Sequence, residues 1–550
     1  MPIRSLLPPV LPSHEALHEK ILRALWGHSL AHPNQAALIL ANDTRQSLTF
    51  RELYTQAHSV HAFLVEKGFR KGDVACFVLF NSLEWVVFNL GVWAAGGAVS
   101  GASALFTDYE LERQFLDSQC SVVFTDEPHI DKALHAARNC PRVKTIVCVR
   151  SNGFIRSVNR NVFDYHDAIS CRPALALEKV SSTDMALLPY SSGTTGSPKG
   201  VVLSHTNFGT MVEVMKDHFE RQFFGAIRVT REQMHNETWM LNLPLYHLFG
   251  FSLLHVGLLA GITGVIHTKF EREVFMSAIQ TFRPRVLITV PPIIIFLAKH
   301  PMVQEYDLSS VEIVMTAAAP CGVDLCEEFL ARHPNVKYHT QGYGLTECTC
   351  ASHLPILKKR KAFVNSGALL ATFEQKTVDP ATGKELGVGE KGEICLRGPC
   401  VMTGYLNKPE ATAITVDGDG WLHTGDIGYY DAEGMTYIVD RMKELIKVKG
   451  LQVAPAELED LLISHPLVAD CAVIGIPDDK RGELVRAYVV RSTESLTERE
   501  IVQFVAHKVS EYKHLTGGVR FVDSILKSPS GKILRRFLRD EAAKERQSKL

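Results

Sequence analysis

The 550-residue chain lacks a dense cysteine framework, a long apolar run and an excess of either charge. Its 12 cysteines are scattered from Cys76 to Cys471 without the regular spacing of a disulfide scaffold. The N-terminus has no charged region followed by an uninterrupted apolar stretch, so reduced thiols inside a cell are expected. No segment holds about 18 consecutive apolar residues free of charge, the minimum for a membrane helix, and a soluble protein is expected. The 59 Lys and Arg nearly balance the 60 Asp and Glu, leaving a formal charge of -1. No long-range field would therefore draw the whole molecule to nucleic acid or anionic lipid, and a small-molecule substrate is the default. Cys348, Cys350 and His353 lie close together, but no second cluster completes the usual metal-ligand pairs, so ordinary core positions are expected.

What the chain does have is enough apolar sequence, 46%, to bury a large core in more than one domain. Short runs rich in Val, Ile and Phe recur at 74–80, 121–125, 144–149, 185–190, 286–290 and 312–319. Segments 111–116 and 274–282 between them carry apolar residues at helical spacing. That alternation predicts an α/β architecture with crossover helices on both sheet faces. From about Phe373 short strands and tight turns take over, which predicts a β-rich, barrel-like subdomain. Segments 427–430 and 435–439 flank Asp431-Ala432-Glu433-Gly434, a hairpin signal that runs directly into Asp440-Arg441-Met442-Lys443. The domain boundary is placed there, giving a large N-terminal domain, 1–440, with two α/β subdomains and the β subdomain. A small, mobile α+β domain, 441–550, follows. In it Pro455 opens a helix, 471–476 and 486–490 read as strands, and Thr497 with Glu500 forms a capping box.

The most informative run is Tyr190 to Asn207, YSSGTTGSPKGVVLSHTN. A buried-strand candidate empties into Ser191, Ser192, Gly193, Thr194, Thr195, Gly196 and then Lys199. Hydroxyls, exposed backbone N–H groups and one cation at that point suit a polyphosphate. The loop is not a Walker loop, which needs Gly before the Lys and Ser or Thr after it, where this chain has Pro198 and Gly200.

This run resembles the signature of the adenylate-forming superfamily of acyl-CoA synthetases, 4-coumarate–CoA ligases, beetle luciferases and peptide-synthetase adenylation domains. The similarity is strongest to the 4-coumarate–CoA ligase-like acyl-CoA synthetases. It continues in the family's order through QGYGLTE (Gln341 to Glu347), WLHTGDIGYYD (Trp421 to Asp431), DRMKELIKVKGLQVAPAELE (Asp440 to Glu459) and PSGKILRR (Pro529 to Arg536). The resemblance implies an ATP-dependent acid–CoA ligase that takes a fatty or aryl-substituted acid through an acyl-adenylate, releasing AMP and pyrophosphate. ATP, Mg²⁺ and CoA are the implied cofactor and co-substrates.

In the first half-reaction so implied, a carboxylate attacks the α-phosphate in line, and the site must neutralise charge on both partners. By family position Glu347 helps hold the metal, Thr346 hydrogen-bonds the α-phosphate, and Tyr343 stacks against adenine. Gln341, Gly342, Gly344 and Tyr437 are further nucleotide contacts. Asp426 accepts hydrogen bonds from both ribose hydroxyls, a role suited to two carboxylate oxygens, and Arg441 lies beside it. Lys532 bridges carboxylate and phosphate oxygens, and His247 borders the acyl carboxylate. For the second half-reaction the small domain is expected to rotate about Met442-Lys443. That motion brings in Lys447, Gly450 and Gln452, with Gly450 leaving space for pantetheine.

Two stretches depart from the family pattern. Ala317, Ala318 and Ala319 stand in Thr316 to Pro320, where a glycine-containing wall borders adenine and acyl group, and Phe363-Val364-Asn365-Ser366-Gly367 replaces another acyl-pocket stretch. The acid is therefore not carried over from any relative. A luciferase-like oxygenase and a nucleotide-binding pseudoenzyme are the alternatives. The terminal Ser548, Lys549 and Leu550 match the tripeptide read by peroxisomal import receptors, so a peroxisomal location is expected.

Overall fold

A computed structural model describes residues 2–150, 161–174, 176–191, 198–357, 361–448, 451–478, 481–528 and 531–547. Ser192, Gly193, Thr194, Thr195 and Gly196 of the phosphate loop, Gly450, and the terminal Ser548, Lys549 and Leu550 lie outside the described residues.

The apolar runs form the expected strands. Val74–Val78, Val122–Asp126 and Thr145–Val149 pair in parallel in a nine-stranded sheet that also holds Met185–Leu187 and Lys199–Ser204. Such strands are buried on both faces, so they read as continuous apolar stretches instead of alternating ones. A second α/β unit contains two four-stranded sheets. One runs Thr238–Leu241, Thr263–Ile266, Ala36–Leu40, Ser47–Thr49, and the other runs Val286–Thr289, Ile313–Thr316, Tyr338–Gln341, Lys361–Ala362. Helices Asp108–Ser118 and Arg272–Phe282 cover the two expected crossover segments. The strand expected over 312–319 ends at Thr316, because the chain turns there and Ala318 takes a left-handed φ of 74°.

The β subdomain is an antiparallel path through Ile3–Arg4, Glu374–Val378, Gly392–Arg397, Leu422–Tyr430 and Thr436–Arg441. The ribbon of His353–Leu354 and Ala368–Leu369 joins its last strand through a bridge between Ala368 and Met435. The hairpin turn at 431–434 is as expected: Asp431 N–H donates to the Met435 carbonyl, and Gly434 has φ 77°.

One hydrophobic core spans residues from Leu17 to Leu422, and a second runs from Ile446 to Val519. The small domain pairs the long hairpin Val468–Asp478 and Gly482–Arg491 with Ile446–Val448 and packs helices Pro455–Ile463 and Glu498–Ala506 against it. The Thr497–Glu500 capping box forms. Arg441 is still paired with Asp426 in the large domain's sheet, so the chain leaves that sheet at Met442. All 12 cysteines are free. Among the described residues no helix is long and apolar enough to cross a membrane.

Candidate active site

The strand that precedes the phosphate loop and the one that follows it pair antiparallel with each other, Ser191 opposite Lys199. The outgoing strand, Lys199–Ser204, also pairs with Gly404–Tyr405. That pairing brings in Tyr405, which no motif in the chain singles out. Its ring lies 4.6 Å from the Lys199 ammonium, and its hydroxyl donates to Glu347 Oε1 at 2.8 Å. A phosphate-type lysine and a carboxylate thus share one phenol as their spacer. The cation rests on the ring face and the anion accepts from its hydroxyl.

Glu347 is presented by the short 3₁₀ turn Thr346–Cys348, which Thr346 opens. Its backbone carbonyl accepts from Met402 N–H at 2.9 Å, fixing the turn to the loop before Gly404. The preceding Gly344 has no room for a side chain, since a Cβ there would lie 1.9 Å from the Cys350 carbonyl oxygen. This half-buried carboxylate supplies hard oxygen donors, which suit Mg²⁺ held by one or two carboxylates together with substrate phosphates.

Asp426 is buried at the centre of the strand Leu422–Tyr430. Tyr343 donates its hydroxyl proton to Asp426 Oδ2 at 2.5 Å, and Arg441 Nε lies 3.2 Å from Oδ1. Burial pushes the Asp426 carboxyl up, while Arg441, the Tyr343 hydroxyl and Lys532 pull it back. Burial and the Asp426 charge together push the Tyr343 phenol well up. Tyr343 and Asp426 are therefore brought together, with the phenol serving the carboxylate.

Lys532 enters this cluster from the other domain. Its turn is closed by Gly531 N–H donating to the Ser528 carbonyl and by Lys532 N–H donating to Ser528 Oγ at 3.1 Å. Gly531 has φ 81°, and a Cβ there would lie 3.1 Å from Pro292 Cδ, so glycine suits both the turn and its close approach to the large domain. Lys527 grips Asp470 with both carboxylate oxygens, at 2.8 and 2.7 Å. Arg535 binds Glu444 and reaches Glu459 at 2.6 Å. The turn is thus held on both flanks. Burial lowers the Lys532 ammonium to about 8; Arg441 also lowers it, against Glu444, Asp426 and Glu347. His247 caps the apolar helix Leu248–Ala260, its ring accepting from Phe249 N–H. Burial and then the Lys532 charge lower its imidazole to about 4, leaving it neutral at pH 7.

Other expected contacts lie elsewhere. The Gln341 amide donates to the carbonyls of Cys321 and Phe363, at 2.8 and 2.7 Å, and accepts from Cys321 N–H at 3.0 Å. It ties Cys321, two residues beyond Ala319, to the Phe363 stretch, with Gly342 following in the chain. The Tyr437 hydroxyl donates to Asp431 at 3.0 Å and its ring stacks on Tyr429, four residues along the strand from Arg441. Lys447 and Gln452 are exposed and stand directly opposite each other on the hairpin Ile446–Val448 and Leu451–Val453. Cys348, Cys350 and His353 do not gather around one point; His353 instead bonds Gln375 at 2.6 Å and Ser352 at 3.0 Å. The groups close enough to share an ion, among the described residues, are Cys321 with Cys326 and His339, and Glu393 with Cys395 and His423.

Family models bear on the whole arrangement. Residues 26–406, more than half of the chain, match the AMP-binding enzyme family, and residues 457–532 match the AMP-binding enzyme C-terminal domain. The chain is 38% identical over 551 residues to 4-coumarate--CoA ligase 2 of Nicotiana tabacum, covering 98% of this chain and 97% of that one. It is 39% identical over 522 residues to Peroxisomal OPC-8:0-CoA ligase 1 of Arabidopsis thaliana, covering 93% and 91%. Among solved structures it superposes on the anthranilate CoA ligase AuaEII in complex with anthranoyl-AMP, with a TM-score of 0.86, 26% identity and 98% and 99% coverage. ATP-bound MatB from Rhodopseudomonas palustris gives a TM-score of 0.82, 27% identity and 95% and 98% coverage. The chain belongs to the AMP-binding enzyme family, within the adenylate-forming superfamily and among its 4-coumarate–CoA ligase-like acid–CoA ligases.

Proposed function

We propose that this AMP-forming acid–CoA ligase is captured in the conformation that makes the acyl-adenylate, with a fatty or aryl-substituted acid as substrate. The observation that carries this reading is Lys532, delivered from the C-terminal domain into the electrostatic field of Asp426, Arg441 and Glu347. Two anions, the acid and the α-phosphate, must meet, and a cation set between them lowers the repulsion. Lys532 supplies that cation, and Lys199 stands ready for the outer phosphates. Asp426 and Arg441 orient the ribose, and neutral His247 borders the acid without adding charge. Thr346 and Glu347 face the phosphates, and Glu347 would hold Mg²⁺. That ion, when bound, neutralises phosphate charge.

The chain then pivots at Met442-Lys443, just beyond the last residue paired in the large domain's sheet. The exposed Lys447 and Gln452 replace Lys532 and admit CoA, with Gly450 between them. The hairpin register supports the pair acting together, since Lys447 and Gln452 are cross-strand partners. The names of the tobacco and Arabidopsis relatives support an aryl-substituted or fatty acid, and the latter with the terminal Ser548-Lys549-Leu550 supports a peroxisomal address.

The test is to incubate the purified protein with Mg-ATP, CoA and a broad panel of acids and identify products by mass spectrometry. AMP and an acyl-CoA are expected. ADP as the nucleotide product would overturn the adenylation mechanism.

A further inference from the structure

The two domains also meet away from the chemistry. Helix Pro455–Ile463 of the small domain lies against helix Val323–Arg332 of the large one. The junction holds Asp460 against Gly322, the residue that starts the large-domain helix. A Cβ on Gly322 would lie only 2.8 Å from both Cγ and Oδ1 of Asp460. Gly322 has φ -60° and ψ 149°, a conformation open to any residue, so no backbone demand of its own calls for glycine. The missing side chain makes room for the carboxyl.

The seat is a poor one for a charge. Asp324 in the first turn of the same helix, Glu459 beside Asp460 and Asp440 on the strand before the hinge are all acidic, and each raises the Asp460 carboxyl. On the large-domain side the Cys326 thiol lies within the field of Asp460 and brings no cation. Nearby cations are engaged elsewhere: Lys299 donates to the Ile463 carbonyl at 2.9 Å and lies 4.0 Å from Glu328, and Arg535 serves Glu444 and Glu459. Among the described residues Asp460 forms no ion pair. The start of the helix compensates only in part, short of what uncompensated burial of a carboxylate requires.

We propose that Asp460 is a release element for the small domain. Each time the domain docks in the Lys532-in position it must seat this carboxyl against Gly322 among other acids, and the unfavourable seat drives departure toward the second half-reaction. The inference rests on the two-conformation reading above. Burial, then Glu459, Asp324 and Asp440, raise the docked Asp460 to about 7 from an ordinary 3.8. The docked state therefore holds its proton more firmly, and docking takes up a proton. Docking is strongest below the ordinary carboxyl range, weakens as pH rises toward about 7 and is flat above it.

The experiment places a fluorophore pair on non-natural residues at the exposed positions Glu273 and Glu498 of the full chain and reads the docked fraction by energy transfer from pH 5 to 8. The wild-type docked odds fall by up to about tenfold per pH unit below 7. Asp460→Asn raises the docked fraction at pH 7.5 and flattens this slope. Gly322→Ala lowers the docked fraction at every pH, and Asp460→Gly in the Gly322→Ala background restores it. A merely structural contact would give no gain of docking in Asp460→Asn. If Asp460→Asn leaves both the docked fraction and its slope unchanged while Lys532→Ala still shifts the distance, the release element is wrong and two conformations stand. A single distance in every variant at every pH overturns both.

Discussion

Two lysines of the small domain sit in opposite circumstances. Lys532 is carried on a turn held by the Lys527–Asp470 and Arg535–Glu459 ion pairs and is buried among charged groups of the large domain. Lys447 projects from an exposed hairpin, its backbone N–H bonded to Glu483 within its own domain. Both are lysines in short basic segments, and the family motifs around them assign Lys532 to the first half-reaction and Lys447 to the second. The difference comes from the docking of one rigid unit, which presents one edge to the active site and turns the other to solvent.

The largest effect should come from exchanging their roles. Lys532→Ala is expected to slow formation of the acyl-adenylate by at least about a hundredfold, the scale of removing a preorganised charge from a transition state. Thioester formation from supplied acyl-adenylate should survive. Lys447→Ala should do the reverse, slowing the thioester step by about tenfold or more and sparing adenylation, as measured by pyrophosphate exchange. Equal losses in both half-reactions for both variants would erase the distinction.

The comparison sharpens with pH. Only the protonated Lys532 can neutralise the two anions, and its burial, with Arg441 nearby, brings its ammonium from 10.5 to about 8. Adenylation should thus be level below about pH 8 and fall about tenfold per unit above it. In Lys532→Arg the guanidinium stays charged, so whatever activity remains should lose that alkaline limb. A limb that persists in the arginine variant would assign the titration to another group.

The smallest effect concerns the phenol bound to Asp426, one of the carboxylates near the docked lysine. Tyr343→Phe removes a hydrogen bond to a buried carboxylate, an interaction of about 1.5–3 kcal/mol. The KM for ATP should rise about tenfold with little change in the ratio of the two half-reactions. A change in that ratio would show that Tyr343 governs docking as well as nucleotide binding.

Much of this molecule is local in origin and could be read directly from the chain. The parallel strands are continuous runs of Val, Ile and Phe because both faces are buried. The hairpin at Asp431 and the capping box at Thr497 depend on residues within four positions of one another. Lys199, Glu347, Asp426 and Lys532 could be singled out from the chain because the proposed chemistry calls for their residue types and the motifs set their order. Tyr405 was not, because its value lies in bridging Lys199 and Glu347 across about 60 to 200 residues of chain. Also outside local reach is the Gln341 side chain's set of three hydrogen bonds to the backbone of Cys321 and Phe363, which ties two loops together.

The sequence by itself determined the class of chemistry, that of an AMP-forming acid–CoA ligase, and pointed to a polyphosphate loop, acids for ribose and metal, and two lysines near the C-terminus. Only the tertiary structure decided that Lys532 is buried while Lys447 faces solvent, which tyrosine joins cation to carboxylate, and that Asp460 is seated against Gly322. Residue type and spacing act within a few turns of chain, whereas burial and the field around a charge depend on every element that folding brings beside it.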